Sequence, residues 1–432
     1  MESTVKFISL PDRSTWPELM KRAVADTAAL HDTVRNIIND VRAHGDDALR
    51  AFSLKFDKCS LTSLEVSPDE MREAEAAVAP ELKNAIKAAA QNIATFHKAQ
   101  LMQPIEVETA PGVVCSQRAV PISDVGLYIP GGNSPLFSTV LMLAVPAKIA
   151  GCRNIELCTP AGPDGKVNPA ILYAAAVAGV SRIFKSGGAQ AIAAMAFGTE
   201  TIPRVSKIFG PGNRFVMEAK LQVNSHGVAI DMPAGPSEVM IIADAHANAR
   251  YVASDFLSQA EHGPDSQSTL LTTDEAFARR LPAVIDELLA TLPRQDMMRR
   301  SLSHSHVILL RSTDEVMQFA NEYAPEHLII NTADAEQLAM RVENAGSVFI
   351  GPYSPESAGD YASGTNHTLP TSGFAKAYSG VNIDSFTKKI TFQHLSQQGL
   401  QGIGQTVMTM AQNEDLMAHR MAVAVRLGNN QQ

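Results

Sequence analysis

The chain has 432 residues, two to three times the size of a usual domain, so its length predicts two or more folded units. Its hydrophobic share of 45% and charged share of 19% are typical of globular proteins and exclude wholesale disorder. The net charge of −9 has the wrong sign for a protein that mainly binds a nucleic-acid backbone or an anionic membrane.

The four cysteines are spaced neither as a zinc knuckle nor as a disulfide framework, which favours a reducing environment. The first residues contain no basic segment followed by an apolar core. The longest apolar stretch, residues 139–149, is interrupted by Pro146 and Lys148 and is too short to span a bilayer. These features predict a cytoplasmic protein.

Residues 15–100 are predicted to be helical. Asp32 is positioned to cap one helix, because apolar residues follow it at helical spacing. The pair Ser67-Pro68 is typical of a helix start, with proline at the first helical position. The Ala-rich run 80–97 carries an apolar stripe and predicts a further helix.

From about residue 113 the pattern changes to short β-rich runs that end in turns, mostly glycine-rich, and continue into helices. Such strands are predicted at 124–129, 154–158, 181–184 and 205–209, with helices at 141–149, 171–178, 191–197 and 215–223. Repeated strand–turn–helix units predict a parallel sheet with crossover helices. A second group of strands is predicted at 238–243, 307–311, 328–331 and 347–350. Because the final fifty residues again have a helical pattern, we predict two α/β units with helical extensions at both ends.

The glycine turns favour an anionic ligand such as a nucleotide, because free N–H groups at helix N-termini bind phosphates. Neither the G-x-G-x-x-G fingerprint nor a P-loop is present, so the turns do not identify the ligand. For any single turn, simple chain reversal is the alternative.

Two polar segments contain acid, base or ligand groups close together. In residues 254–262, Gln259 and His262 lie about one turn apart on a predicted helix, where an amide oxygen and an imidazole nitrogen can share a metal. Glu326 and His327 directly precede a predicted strand. Neighbours in an extended segment point to opposite sides, so these two share a site only if the chain bends there.

The stretch 354–367 is rich in Ser, Gly, Asp and Asn and is predicted to be a long polar loop. In it, Asp360 is a candidate hard metal ligand and His367 is a candidate substrate contact. A solvated loop without a function is the alternative.

The segment 413–420 is predicted to be helical, with Asp415 and His419 as an i,i+4 pair. On the same helix Glu414 and His419 would lie about 140° apart, so they could reach one site only from its two flanks. Together, the Gln, His, Asp and His side chains of these segments suit zinc, with manganese or cobalt as alternatives and magnesium disfavoured. The residues alone therefore predict an α/β enzyme that uses a nucleotide and a metal.

With these segments, the chain resembles the histidinol dehydrogenase family nearly from end to end. The resemblance rests on the four polar segments and on motifs in the same order at 52–57, 126–132, 209–213, 231–238 and 418–423. It implies two incomplete Rossmann-like parallel-sheet domains and a domain-swapped dimer. The implied division is a mainly helical region 1–105, a substrate and zinc domain 106–130 and 238–381, an NAD-binding domain 131–237, and a helical extension 382–432 that reaches the partner subunit.

The resemblance also implies the reaction, an oxidation of L-histidinol to L-histidine through L-histidinaldehyde with two NAD⁺ and one zinc per subunit. The implied zinc ligands are Gln259, His262, Asp360 and His419, and the implied proton-transfer residues are Glu326 and His327. The implied substrate contacts are Ser237, Gln259, His262, His327, Asp360, His367, Glu414 and His419, and the implied cofactor contacts are Tyr128, Gln190 and Asn213. Glu414 and His419 would come from the partner subunit of a homodimer with shared active sites.

Three other functions stay open at this point. These are a relative that oxidises another small alcohol such as a sulfonated diol, a zinc hydrolase in which Glu326 activates water, and a non-catalytic binding module. A covalent route through a thiohemiacetal is a rival mechanism. Because Cys115 and Cys152 lie on or beside apolar segments, buried and inert thiols are expected instead.

Overall fold

The structure is a computed structural model that describes residues 5–22, 28–131 and 134–428. The predicted regions also include residues 1–4, 23–27, 132–133 and 429–432, which lie outside the described residues. Its strands are β1 (Lys6–Ser9), β2 (Ile105–Ala110), β3 (Val113–Pro121), β4 (Asp124–Tyr128), β5 (Asn154–Thr159), β6 (Arg182–Lys185), β7 (Lys207–Phe209), β8 (Ala229–Ile230), β9 (Glu238–Ala243), β10 (Gln267–Thr272), β11 (His306–Leu309), β12 (His327–Asn331), β13 (Ser347–Ile350) and β14 (Thr387–Leu395).

Helices occur both between the strands and at the two ends of the described chain. They are α1 (Trp16–Leu19), α2 (Ala28–Phe52), α3 (Pro68–Ala77), α4 (Pro80–Lys98), α5 (Phe137–Ala150), α6 (Pro169–Ala178), α7 (Gly188–Phe197), α8 (Arg214–Asn224), α9 (Ala249–Ala260), α10 (Glu275–Leu289), α11 (Gln295–Leu302), α12 (Thr313–Tyr323), α13 (Ala335–Ala339), α14 (Glu356–Tyr361), α15 (Gln397–Asn413) and α16 (Met417–Arg426). Within the described ranges, no helix is both long enough and apolar enough to cross a bilayer.

The four predicted strand–turn–helix units form one parallel sheet in the order β6-β5-β4-β7-β8. Local signals explain the helix ends: Gly151 and Gly179 terminate α5 and α6 in the left-handed conformation, and the Asn213 side chain caps the start of α8. Apolar clusters cover both faces of this sheet. The predicted parallel sheet with crossover helices is therefore confirmed.

A second parallel sheet has six strands in the order β1-β11-β10-β9-β12-β13. Every residue of its central strand β9 is buried, with Val239 and Ile241 in one apolar cluster and Met240 and Ile242 in the cluster on the other face. This two-sided burial explains why β9 is a continuous apolar run in the sequence. The strands β1 and β10 were not predicted.

A third, antiparallel sheet has the order β14-β3-β2. β14 lies within the final fifty residues, so the prediction of an entirely helical C-terminal extension is wrong for residues 387–395. Most of its side chains are exposed or half-buried, and pairing with β3 along all nine residues holds it instead. A strand stabilised by pairing rather than by apolar burial gives little signal in the local sequence.

The helices α2, α3 and α4 pack on the five-stranded unit, with α2 against α7 and α8, and α3 and α4 against α6 and α5. Ser67 begins α3 with a complete capping box to Glu70, as the sequence predicts. Asp32 is not a helix cap, however, because α2 already begins at Ala28, and the helix is interrupted only later, by a kink at Gly45.

Sheet pairing differs from the predicted division of the chain within residues 106–130. β2 and β3 pair with each other and with β14, and not with the six-stranded sheet. The predicted substrate domain includes residues 106–130, but β4 within this range pairs with β5 and β7 of the five-stranded sheet. Hydrogen bonding therefore places residues 124–128 with the unit predicted as 131–237. Because pairing between distant strands decides membership of a sheet, chain order alone does not give this boundary.

Candidate active site

Glu326 and His327 lie together at the amino-terminal end of β12, next to the start of β9. Ala324 ends α12 in the left-handed conformation, with φ at 53°, and turns the chain before both residues. As a result Oε2 of Glu326 lies 3.7 Å from Nδ1 of His327. The sequence analysis predicted that these neighbours share one site only if the chain bends there, and the structure has this bend.

The backbone of Glu238 contacts both side chains. Its N–H donates to Oε2 of Glu326 over 2.9 Å, and its carbonyl oxygen lies 3.4 Å from Nδ1 of His327. A carbonyl only accepts, so this contact assigns the imidazole proton to Nδ1. Nε2 of His327 is buried without a hydrogen-bond partner, and burial lowers the pKa of His327 to about 3. The ring is therefore neutral near pH 7, with Nε2 free to accept a proton.

Gln259 and His262 lie at the end of α9, and the His262 N–H donates to the Gln259 carbonyl. The predicted helical placement of this pair is confirmed up to Ala260. The amide of Gln259 is fully buried, yet neither its oxygen nor its nitrogen has a partner. A buried amide without a partner is costly, so it fits a ligand that the structure does not contain.

The polar stretch 354–367 is not only a loop, because it contains the short helix α14. This helix places Glu356 and Asp360 one turn apart on the same side. Oε1 of Glu356 and Oδ2 of Asp360 each lie 3.9 Å from Nε2 of His262. Glu356 also lies 3.6 Å from Nδ1 of His327, and Asp360 lies 3.8 Å from Nε2 of that ring.

Burial changes the ionisation of the acidic groups in this cleft. It raises the pKa of Glu326 and of Glu356 well above the usual value and raises that of Asp360 to about 7. The neighbouring carboxyl groups add to the rise for Glu356. Asp255, one turn before Gln259, has its pKa raised by burial to about 7. A divalent cation would relieve this concentration of acidic groups.

The donor set fits a metal such as zinc. His262, Glu356 and Asp360 each offer a ligand atom, and these atoms lie within 4.8 Å of one another. Imidazole nitrogen combined with carboxylate oxygen is typical of zinc sites. Sequence reasoning did not give Glu356 a role, although its i,i+4 spacing to Asp360 was a usable signal.

His367 borders the same group of residues. Nδ1 of His367 lies 2.9 Å from the Asp360 carbonyl oxygen, and its Nε2 lies 3.1 Å from the Thr139 hydroxyl on α5. Burial lowers the pKa of His367 to about 4. Ser237 is half-buried immediately before β9. The contact with Thr139 brings the five-stranded unit to the edge of the cleft.

A separate cavity of about 1230 Å³ lies in the five-stranded unit and is lined by all three predicted cofactor residues, Tyr128, Gln190 and Asn213. The Tyr128 hydroxyl accepts from the Gly188 N–H over 3.0 Å, and burial raises its pKa to about 12. The N-cap residues of α7 and α8, Gly187 and Asn213, line the cavity. Two helix N-termini at one cavity suit the pyrophosphate of a dinucleotide.

The structure does not bring Glu414 and His419 into this cleft by any described contact. Both are exposed, and α15 and α16 pack against each other, with α15 also against β14 and β2. The predicted helical pair of Asp415 and His419 is wrong, because α15 ends at Asn413 and Asp415 adopts the left-handed conformation with φ at 58°. Several exposed apolar side chains mark this region: Met410, Leu416, Met417, Met421 and Val425.

Both the sequence and the fold are similar to those of known proteins. The profile of the family described as histidinol dehydrogenase matches residues 20–427. Histidinol dehydrogenases of Bacteroides fragilis and Salmonella typhimurium are 58% and 52% identical, covering 98% and 95% of this chain and 99% and 94% of their own. A crystal structure of histidinol dehydrogenase from Elizabethkingia anophelis has a TM-score of 0.97 at 50% identity and 99% coverage of both chains. The chain therefore belongs to the histidinol dehydrogenase family.

Proposed function

We propose that this chain oxidises L-histidinol to L-histidine through L-histidinaldehyde, with zinc and two molecules of NAD⁺. Family membership supports the substrate and the reaction. One observation carries the chemistry. The possible metal ligands His262 and Asp360 lie beside His327, a neutral imidazole whose Nε2 has no hydrogen-bond partner.

His327 is the proposed base for the hydroxyl group of the substrate. Its Nδ1 is held by the Glu238 carbonyl, so Nε2 faces Asp360 and can take the proton. NAD⁺, when bound, accepts a hydride in each of the two oxidations.

Glu326 is the proposed base that activates water for addition to the aldehyde. Its buried carboxyl has a raised pKa, which makes it a stronger base than an exposed carboxylate. It lies 3.7 Å from His327, so the two residues can serve successive steps at one carbon.

Gln259, His262 and Asp360 are the proposed metal ligands from this chain, with His419 supplied by a second copy. The buried, unpartnered amide of Gln259 supports its assignment. Zinc, when bound, would hold the imidazole and amine of the substrate and so fix its orientation. Ser237, His367 and Glu414 are the remaining proposed substrate contacts.

The proposed assembly is a homodimer with shared sites, in which the C-terminal extension reaches the partner subunit. The exposed apolar side chains of α15 and α16 and the exposure of His419 support this proposal. We also propose that the six-stranded unit carries substrate and zinc, and that the five-stranded unit, including β4, is the Rossmann-like NAD-binding unit. The cytoplasmic location stays a prediction.

The decisive test measures NADH formed per histidinol consumed, together with zinc per chain, in the purified protein. Two NADH per substrate and one zinc per chain are expected. A panel of other small alcohols, including a sulfonated diol, serves as the control. Turnover of another alcohol in preference to histidinol would contradict the proposed substrate, and product formation without NADH would favour a hydrolase.

A further inference from the structure

The backbone of Glu238 contacts both proposed proton-transfer residues, Glu326 and His327. Its N–H binds Glu326 and its carbonyl binds His327, so both side chains depend on the position of one peptide segment at the start of β9. The side chain of Glu238 is 1% exposed and has other partners.

The Glu238 carboxylate is fixed by four donors from distant parts of the chain. Arg22 binds both of its oxygens, over 2.8 and 3.0 Å. The Tyr323 hydroxyl and the Ser372 N–H donate to the two oxygens over 3.1 Å each. Such bidentate, charge-assisted bonding fixes both the position and the orientation of a carboxylate.

Arg22 also ties this carboxylate to the chain that leads into Glu326. Its guanidinium donates to the Tyr323 carbonyl over 2.8 Å and lies 3.6 Å from the centre of the Tyr323 ring. Tyr323 is the last residue of α12, and the turn at Ala324 follows it directly. Arg22 therefore links the start of β9 to the turn before β12.

We propose that Arg22, Glu238 and Tyr323 form a positioning network that holds Glu326 and His327 in their working geometry. None of the three is a proposed ligand of metal or substrate, and the inference rests on the proposed function of Glu326 and His327. The network supports catalysis by keeping these groups in place, because a misplacement of about 1 Å in a proton-transfer group costs about 100-fold in rate.

The test compares Arg22→Met, Arg22→Lys and Glu238→Gln with wild type as zinc-loaded protein. For Arg22→Met and Glu238→Gln we expect kcat to fall about tenfold or more with histidinol and with histidinaldehyde, while KM stays within about twofold. Zinc per chain should be unchanged, and Arg22→Lys, which keeps the charge, should recover part of the loss.

Arg182→Met is the matched control, because Arg182 makes a similar bidentate ion pair with Glu65, over 2.8 and 2.7 Å, at the five-stranded sheet. It should lower the melting temperature while kcat per folded site stays at the wild-type value. A wild-type kcat in Arg22→Met, or an equal loss in the control, would overturn the network as a positioning device.

If Arg22→Met and Glu238→Gln do not fold, Tyr323→Phe is the second variant. It removes the contacts of the hydroxyl with Glu238 and Gln267 and should still lower kcat severalfold; an unchanged kcat counts against the proposal. If wild-type protein forms no NADH from histidinol, the proposed function fails, and crystal structures of a folded variant decide the network on geometry. Displaced Glu326 and His327 side chains would support it, and unmoved ones would overturn it.

Discussion

Nδ1 of His327 and Oε1 of Glu356 lie 3.6 Å apart in a part of the cleft closed to solvent. The same Glu356 oxygen lies 3.9 Å from Nε2 of His262. One buried carboxyl group thus stands between the proposed base and a proposed metal ligand. Neither of its oxygens has a hydrogen-bond partner.

Glu356→Gln is expected to weaken zinc binding about tenfold or more, because the substitution replaces a carboxyl group that can ionise beside bound zinc with a neutral amide of similar volume. Competition with a chromophoric chelator measures the affinity. Glu261→Gln is the control, since Glu261 adjoins His262 in sequence but is exposed. Equal zinc affinity in Glu356→Gln and wild type would show that this charge has no influence on the site.

Zinc binding is expected to release protons and to strengthen as the pH rises from about 6 to 8. Burial raises the pKa of Asp360 to about 7 in the metal-free protein, so below that pH this carboxyl carries a proton that a metal must displace. Calorimetric titrations at pH 6 in two buffers with different ionisation enthalpies count the protons released. Heats that do not depend on the buffer would contradict the expectation.

Glu326→Gln is expected to slow the oxidation of the aldehyde about 100-fold or more and that of the alcohol much less. The amide oxygen can still accept from the Glu238 N–H, so the variant tests the base and not the packing. Single-turnover rates with histidinol and with histidinaldehyde separate the two steps. The same loss in both steps would argue against water activation by Glu326.

Mixing inactive His327→Ala and His419→Ala proteins and allowing subunit exchange is expected to restore up to about a quarter of the wild-type activity. In a shared-site dimer, each hybrid contains one site that carries both defects and one that carries neither. One of the two variants is isotope-labelled, so that the hybrid has its own mass and native mass spectrometry confirms that it forms. Hybrids without activity would mean that each site is contained in one chain.

Cys152→Ala is expected to retain most of the turnover. The thiol is buried, donates to the Phe386 carbonyl over 3.8 Å and has its pKa raised by burial to about 11, so it is a poor nucleophile. Steady-state rates with histidinol check this, with Cys115→Ala as a companion variant. Loss of aldehyde oxidation in Cys152→Ala alone would revive the thiohemiacetal route.

Local signals in the sequence account for the elements that could be predicted. The capping box at Ser67 and the turns after the strands of the five-stranded sheet depend on residues a few positions apart. β10 was not predicted because Gln267, Ser268 and Thr269 are polar, so the strand lacks an apolar pattern although it is buried. β14 was not predicted because pairing with β3 holds it, and this pairing leaves no local pattern in the sequence.

The site itself depends on contacts that no local pattern contains. Glu326 meets Glu238 only because β12 and β9, far apart in the chain, are neighbours in the sheet. Motif resemblance supplied the proposed site residues, but it did not include Glu356. The break at Asp415 was missed because residues other than glycine seldom adopt the left-handed conformation, although aspartate does so more often than most.

β1 has a consequence for handling the protein. This short strand runs beside β11 and covers the outer edge of the six-stranded sheet with a segment from the opposite end of the sequence. Trimming the chain past Ser9 would expose unpaired N–H and C=O groups along His306–Leu309, an open template for strand addition. Self-association through that uncovered border would then compete with recovery of folded material, even though every proposed active-site residue would still be present.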